Sequence, residues 1–456
     1  MADPTTNVAF VRTQMLDQKA PPASVIGPVG WARENLFSGW FNTVLTLVSL
    51  FLIYKLVFFI LGWAITPTWS SGSLSECREI LAGIGKTGHF AGACWGVITE
   101  RWEQLLFGFY PNGSQEGQAD LRWRPMLAFI LLVVAMAPVL FGDKVPRKMI
   151  WFSAAYPFLF PWLLWGGTIW TPLAAMAGFV IGYFAFKFVA DRFSQLLGMI
   201  SGVVVALVWW LVLMGPLVAI LGGYNNDANE AVSGLLPIGI ESVQSRDFGG
   251  FMLSITIGVV AIGCSLPLGI LLALGRQSDL LIVKAICVGF IEFIRGVPLI
   301  TLLFVASTLL NIFLPPGTNF DIILRVLIMV TLFASAYMAE VIRGGLAALP
   351  KGQYEGADSL GLDYWQAQRL IIMPQALKIS IPGIVSTFIG VFKDTTLVSV
   401  IGLLDPLGLS QGIRADANWN GIVWELYGFI AFMFFIFCFG MSRYSMYLER
   451  KLKTSH

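Results

Sequence analysis

Four consecutive residues in the stretch FKDTTLVSVIG, Lys393, Asp394, Thr395 and Thr396, place two opposite charges and two hydroxyls inside an otherwise apolar run, 383–402. At 1.5 Å per helical residue, Lys393 and Asp394 would lie ~15 Å deep in a ~30 Å hydrocarbon core. Charges at that depth cost a few kcal/mol and mark functional positions by default. Such a group suits a ligand that carries both signs: Asp394 would face an ammonium and Lys393 a carboxylate, with the threonine hydroxyls as further partners. A structural ion pair with another span is the other reading, since adjacent residues on a helix do not face each other. Glu340 and Arg343, one helical turn apart near the end of the preceding apolar run, read as a local ion pair or gate contact. Cys77 and Cys94 share a polar stretch and are candidates for a disulfide if that stretch is extracytoplasmic. Two chemistries are excluded. GIGKTG at 83–88 lacks the first glycine of a phosphate loop, Ile80 standing there, and His89 and His456 are too few for a histidine metal cluster, so no metal site is expected.

The elements that must hold these residues are membrane spans. The 456 residues are 57% hydrophobic and 12% charged, with mean hydropathy +0.76, against about 25% charged in a soluble domain. Trp40, Trp63, Trp123, Trp151 and Trp170 sit at the ends of apolar runs, as an interfacial belt places them. The fold class is therefore an all-α integral membrane protein. About ten transmembrane helices are expected, near 41–64, 126–141, 149–166, 170–187, 197–222, 250–274, 297–314, 321–342, 383–402 and 421–442. Lys and Arg gather in alternate short loops, at 144–148, 187–192, 276–284 and 343–378 and in the tail RYSMYLERKLK. The positive-inside rule then puts both termini in the cytoplasm and the loop 65–125 outside. Residues 1–245 form an N-terminal extension of about five spans, in which Lys55 is the lone mid-span charge and can snorkel to the outer interface. Residues 246–456 form the second part.

Between two spans lies YEGADSLGLDYWQAQRLIIMPQAL, 354–377, too charged for lipid. Pro350 precedes a short helix over 352–360, and Gly361 stops it in the left-handed C′ position. Asp363 with Gln366 has the spacing of a capping box. A second helix is expected from Tyr364 to about Met373, ended by Pro374. Tyr364, Trp365, Leu370 and Ile371 are more apolar than a solvated hairpin needs. Either they dock a partner or the hairpin folds back on its own spans.

Glu355, Gly356, Ala357, Gly361, Ile371, Met373 and Pro374 resemble the EAA loop of bacterial ABC importer permeases, with the spacing kept and Gly356 and Met373 replacing Ala and Leu. FIEFIRGVPLITLLF, 290–304, and ASAYMAEVIRGGLAALPKGQYEGADSLG, 334–361, look like the polar amino acid branch. ENLFSGWFN and GACW resemble the longer permease of the general L-amino acid and glutamate/glutamine/aspartate/asparagine importers. The resemblance implies a type I importer permease core in the C-terminal half, with coupling helices over 350–376 that sit in a groove of an ATP-binding subunit. It implies a transport subunit of the bacterial inner membrane that is not an enzyme and has no cofactor of its own, ATP and Mg being used by the partner. It implies a second permease chain and a periplasmic amino acid binding protein, with membrane lipid around the spans and no nucleic acid. The rival, an ion-coupled secondary amino acid transporter using Lys393 and Asp394, leaves 354–377 unexplained and predicts internal repeats; the sequence shows none.

Overall fold

The computed structural model describes residues 27–65, 68–88, 92–114, 119–142, 144–225, 231–232, 234–309, 312 and 321–452. By internal contact these fall into two compact units, one running to Trp69 and taking in Glu76–Trp95, the other comprising Ser70–Ser75 and everything from Gly96 onward.

The first unit holds helices α1 (Gly27–Asn35) and α2 (Trp40–Ala64) and most of α3 (Leu74–Gly83). α2 is apolar around its whole circumference, as a span is, and its Lys55 ammonium lies 5.6 Å from the Phe51 ring centroid. Cys77 and Cys94 are joined in a disulfide.

The second unit begins with α4 (Gly96–Phe107) and α5 (Trp123–Leu140). Next come α6 (Ile150–Trp165) and α7 (Trp170–Ala190). Gly166 and Gly167 separate these two at φ +75° and +85°, so 149–187 is two helices, as the sequence suggests. α8 (Gln195–Val208) continues through a π turn, Trp209–Leu213, into α9 (Met214–Gly222). α7 and α8 approach closely at Gly182 and Gly202. A Cβ on either would come within 3.0 and 2.9 Å of the other's carbonyl oxygen. Small residues at such a crossing replace the hydrophobic drive that lipid removes. At the base of α5, Arg124 is 1% exposed; its Nε donates to Leu163 O (2.9 Å) and its Nη1 to Glu241 O (2.7 Å).

The C-terminal half packs α10 (Gly250–Gln277) against α13 (Ile322–Ala347). Between them lie α11 (Leu281–Gly296) and α12 (Leu299–Phe304), the latter ending in a π turn, Val305–Leu309. α14 (Lys351–Ser359) and α15 (Tyr364–Ala367) follow. A π turn, Gln368–Ile372, leads into α16 (Met373–Asp394), and a 3-10 segment, Thr395–Ile401, extends it. α17 (Pro406–Ala415) and α18 (Trp424–Leu452) close the fold. Two buried apolar clusters mark the two ends of this half. One gathers Ile342, Leu346, Leu349, Ile372 and Ala376 at the end bearing 351–376. The other gathers Leu253, Ile257, Val326, Val330, Val391, Val398 and Leu403 at the opposite end.

Eight helices among the described residues are long and apolar enough to cross a membrane, and a bent pair makes a ninth. α6, 16 residues long, falls short of that length, so the described residues hold eight or nine such spans where the sequence suggests about ten. Two further details differ from the sequence reading. The expected span 297–314 is only one arm of the bent pair: α11 joins it across a 102° bend, and 310–311 and 313–314 lie outside the described residues. Pro298 forces Val297 out of the helical region (φ −107°, ψ 132°). Glu292 and Arg295 on α11 depress the hydropathy that would have marked it. Second, Pro374 does not end the helix begun at Tyr364; the structure runs from Tyr364 to Ile401 as one helical segment. A proline ring would clash with the carbonyl four residues back. The π turn immediately before Pro374 has a wider hydrogen-bond spacing that relieves the clash. α4, from the 65–125 loop, packs on α10, α17 and α18.

Asp405 caps α17, accepting from Leu407 N (3.2 Å) and Gly408 N (2.9 Å), and is fully buried. Burial pushes its carboxyl up to about 6, against the pull of those backbone donors. An unfolded Asp titrates near ~3.9. Between these values the folded chain holds a proton that the unfolded chain releases, so stability falls as pH rises from about 4 through 6. Asp405→Asn keeps an acceptor for the cap. Its thermal midpoint in detergent should be flatter than wild type between pH 4.5 and 7, by roughly 2 kcal/mol across the window; parallel pH profiles would refute the buried titration.

Candidate functional site

The residues singled out by sequence settle at three places along the C-terminal half. At the first, α16 gives way to the 3-10 segment. Phe392 is buried, its ring 5.3 Å from Phe434 and 5.5 Å from Phe437 on α18. A Cβ on Gly258 of α10 would strike that ring. Phe392 thus locks this end of α16 between two helices and fixes the direction of the next two side chains. Lys393 is exposed on the surface of the chain and Asp394 half-buried. The two form no ion pair with each other within 4 Å. Thr395 is fully buried and donates to Phe392 O (2.8 Å). Thr396 donates to Lys393 O (2.9 Å). Both hydroxyl protons therefore hold the α to 3-10 transition, and each oxygen can still accept.

The second place is a charge cluster near the end that bears 351–376. The Glu340 carboxylate accepts from Arg276 Nη1 on α10 (2.7 Å), and from Arg343 Nε (3.1 Å) and Nη2 (3.0 Å) on its own helix. Arg295 Nη1 of α11 lies 3.6 Å away. Arg276 also donates to Glu292 of α11 (2.9 Å). One carboxylate, 15% exposed, thus holds the ends of three helices together. The local pair Glu340–Arg343 was legible in sequence as an i, i+3 spacing. Arg276, Glu292 and Arg295 were not, because they come from 64, 48 and 45 residues away. Glu292 and Arg295 do share the same i, i+3 spacing, which could have flagged them.

The third place is the segment 351–376. Gly361 turns the chain at φ +69°. Asp363 Oδ1 accepts from Gln366 N (2.8 Å) and Gln366 Oε1 from Asp363 N (3.2 Å), completing the capping box. Of the two readings left open, folding back on the spans describes one face of the segment. Tyr354, Ile371, Ile372 and Met373 pack on the buried cluster of the spans, and Ala357 is 1% exposed. Leu360, Tyr364, Trp365 and Leu370 point away, 53–74% exposed. Glu355, Gly356 and Pro374 are exposed as well. Gln375 Nε2 ties the two helices by donating to Gln353 Oε1 (2.9 Å).

At the opposite end, a cleft of about 630 Å³ is lined by Trp165, Arg246, Asp321 and Gly402–Leu404, among others.

Residues 265–454 match the family described as binding-protein-dependent transport system inner membrane component. The chain is 56% identical over 453 residues to the glutamate/glutamine/aspartate/asparagine transport system permease protein BztC of Rhodobacter capsulatus, covering 99% of this chain and 100% of that protein. It is 39% identical to the inner membrane amino-acid ABC transporter permease protein YhdY of Escherichia coli K12, covering 93% of each. A crystal structure of an amino acid ABC transporter with histidines matches 44% of this chain and 91% of its own chain at 30% identity, with a TM-score of 0.40. The full-length similarity removes the ion-coupled secondary transporter.

The carboxylate hub gives a stability prediction. Glu340→Gln leaves three guanidiniums converging without their anion and should lower unfolding stability by about 2 kcal/mol. Arg276→Gln added to it should recover part of the loss. A double-mutant cycle on thermal midpoints that gives strict additivity would show that the cluster is not a coupled unit.

Proposed function

We propose a specific task for this chain, which belongs to the inner-membrane permeases of amino acid ABC importers. It is a multi-pass inner-membrane subunit that conducts its cargo and performs no chemistry. The cargo is the class named for the Rhodobacter relative, the polar L-amino acids glutamate, glutamine, aspartate and asparagine. ATP with Mg is hydrolysed by a separate ATP-binding subunit. That subunit takes the exposed Leu360, Tyr364, Trp365 and Leu370 into its groove on the cytoplasmic side, where both termini also lie. A second permease chain, similar or identical, covers the Lys393 face, and a periplasmic binding protein delivers substrate to the opposite end.

The observation that carries this reading is the two-faced segment 351–376. Its inner face is fused to the spans and its outer face is apolar and bare, while its second helix runs without a break to Asp394. Push on the bare face and the rod moves at the depth of Lys393 and Asp394. Those residues receive the amino acid, Asp394 taking the ammonium and Lys393 the carboxylate, with Thr395 and Thr396 shaping the turn that presents them. Glu340 and its arginines form the gate at the cytoplasmic ends of α10, α11 and α13. Transport is alternating access around this group.

Two variants test the reading. Gly361→Val puts a β-branched side chain at φ +69°, although nothing crowds the position, so the effect is on backbone conformation alone. The protein should reach the membrane yet lose its ATP-binding subunit or the hydrolysis that substrate stimulates; normal assembly and uptake would remove the docking role. Asp394→Asn keeps shape and loses charge. Basal ATP hydrolysis should persist while uptake of all the amino acids falls together by about tenfold or more, since each carries the ammonium. Full uptake per assembled complex would sink the substrate role of Asp394.

A further inference from the structure

The part of the molecule that the permease core does not explain is the long loop before α5, yet one piece of it is built into the far end of that core. α4 is tied to the α17–α18 connection by two side-chain bonds. Trp419, fully buried, donates Nε1–H to Glu100 Oε2 (2.8 Å). Arg101 Nη2 donates to Asp416 Oδ2 (3.0 Å). Leu74 N, at the start of α3 and in the same unit as α4, donates to Asn418 O (2.8 Å).

The C-terminal end of α4 then meets the start of α10 backbone to backbone. Phe109 N donates to Asp247 O (3.1 Å), and Gly108 pairs with Phe248. The start of α10 meets the chain beyond the 3-10 segment in turn, Gly250 N donating to Leu404 O (2.8 Å) and Gly249 pairing with Leu404. Only glycine fits this stack. A Cβ on Gly249 would come within 2.8 Å of Leu404 O and 2.9 Å of Gly108 Cα. A Cβ on Gly250, at φ +59°, would run into Leu105 O of α4. The sequence of contacts therefore runs from α4 through Gly249 and Gly250 to Leu404, three residues beyond the 3-10 segment that begins at Thr395.

We infer that α4 is the fixed anchor of the far end of the rod, and that Glu100 and Arg101 are positioning residues for the Lys393–Thr396 group. The inference rests on the proposed function and assigns part of the N-terminal extension a share in it. With its far end held, movement delivered at Tyr364 and Trp365 is converted into rearrangement at the α to 3-10 junction, where Asp394 sits. With the anchor loosened, the rod slides as a body and ATP is hydrolysed without displacement of the site. Coupling, and not assembly, is the property that α4 supplies.

The test uses the complete transporter in liposomes, with its binding protein and radiolabelled L-glutamate and L-glutamine as probes. The quantity measured is amino acid taken up per ATP hydrolysed. Arg101→Asp sets like charges against Asp416 and should lower that ratio at least fivefold, with complex yield and basal hydrolysis within twofold of wild type. Arg101→Asp combined with Asp416→Arg should restore it to within twofold. If Arg101→Asp fails to assemble, Trp419→Phe decides, since it removes only the N–H to Glu100 and should lower the ratio two- to threefold. An unchanged ratio in the assembled variants overturns the anchor, as does a parallel loss of uptake and hydrolysis that the charge swap does not restore. Wild-type complex that hydrolyses ATP but takes up neither probe overturns the proposed function, and the anchor with it.

Discussion

A helical path that stays continuous from Tyr364 to Ile401 through both Pro374 and Pro382 is the constraint on which the rest of this structure depends. In hydrocarbon an unpaired peptide group costs several kcal/mol, so a span cannot be broken cheaply. The chain solves the problem of Pro374 by widening one turn instead of stopping. The result is a rod of about 46 Å from Tyr364 to Asp394 at 1.5 Å per residue. A polar segment that packs on one end of it has no slack through which displacement could be lost.

Charge is distributed along the C-terminal half in keeping with that rod. At one end, Glu340 binds guanidiniums from three helices, an arrangement whose strength depends on all of them converging at once. Next to the other end, Lys393 and Asp394 stand side by side on one helix without contacting each other. A clamp that is complete within the chain and a pair that is incomplete within it are different devices. The first holds a conformation; the second leaves its charges free of each other.

Short-range patterns were legible in the sequence. Gly361, Asp363 and Gln366 fix the turn through bonds spanning three residues, so types and spacing sufficed. The candidate substrate residues stood out because four polar side chains interrupt an apolar run, though nothing in the run revealed that both threonine hydroxyls bond back to their own helix. Pro374 misled because its usual effect, ending a helix, was cancelled by a π turn that no residue type announces. α11 was hidden by Glu292 and Arg295, charges that hydropathy scores as loop and that the fold uses as partners for Arg276 and Glu340. Arg124 was invisible for the same reason: its acceptors are the carbonyls of Leu163 and Glu241, and carbonyls carry no sequence signature.

Glu100 and Trp419 are 319 residues apart, and that separation has a consequence in time. At 5–20 residues per second, ribosomal synthesis takes roughly 15–60 s to traverse it. α4 emerges early and must persist through most of translation before Asp416 and Trp419 exist. Contacts of such long range are slow to form and late to reward their closure entropy. The maturation of this protein therefore has an order: the helices of the N-terminal half insert first, and the chain becomes whole only when its last fifth arrives. A ribosome stalled anywhere before Trp419 leaves a nascent chain whose α4 is still without its lock, a defect that a quality-control protease can read.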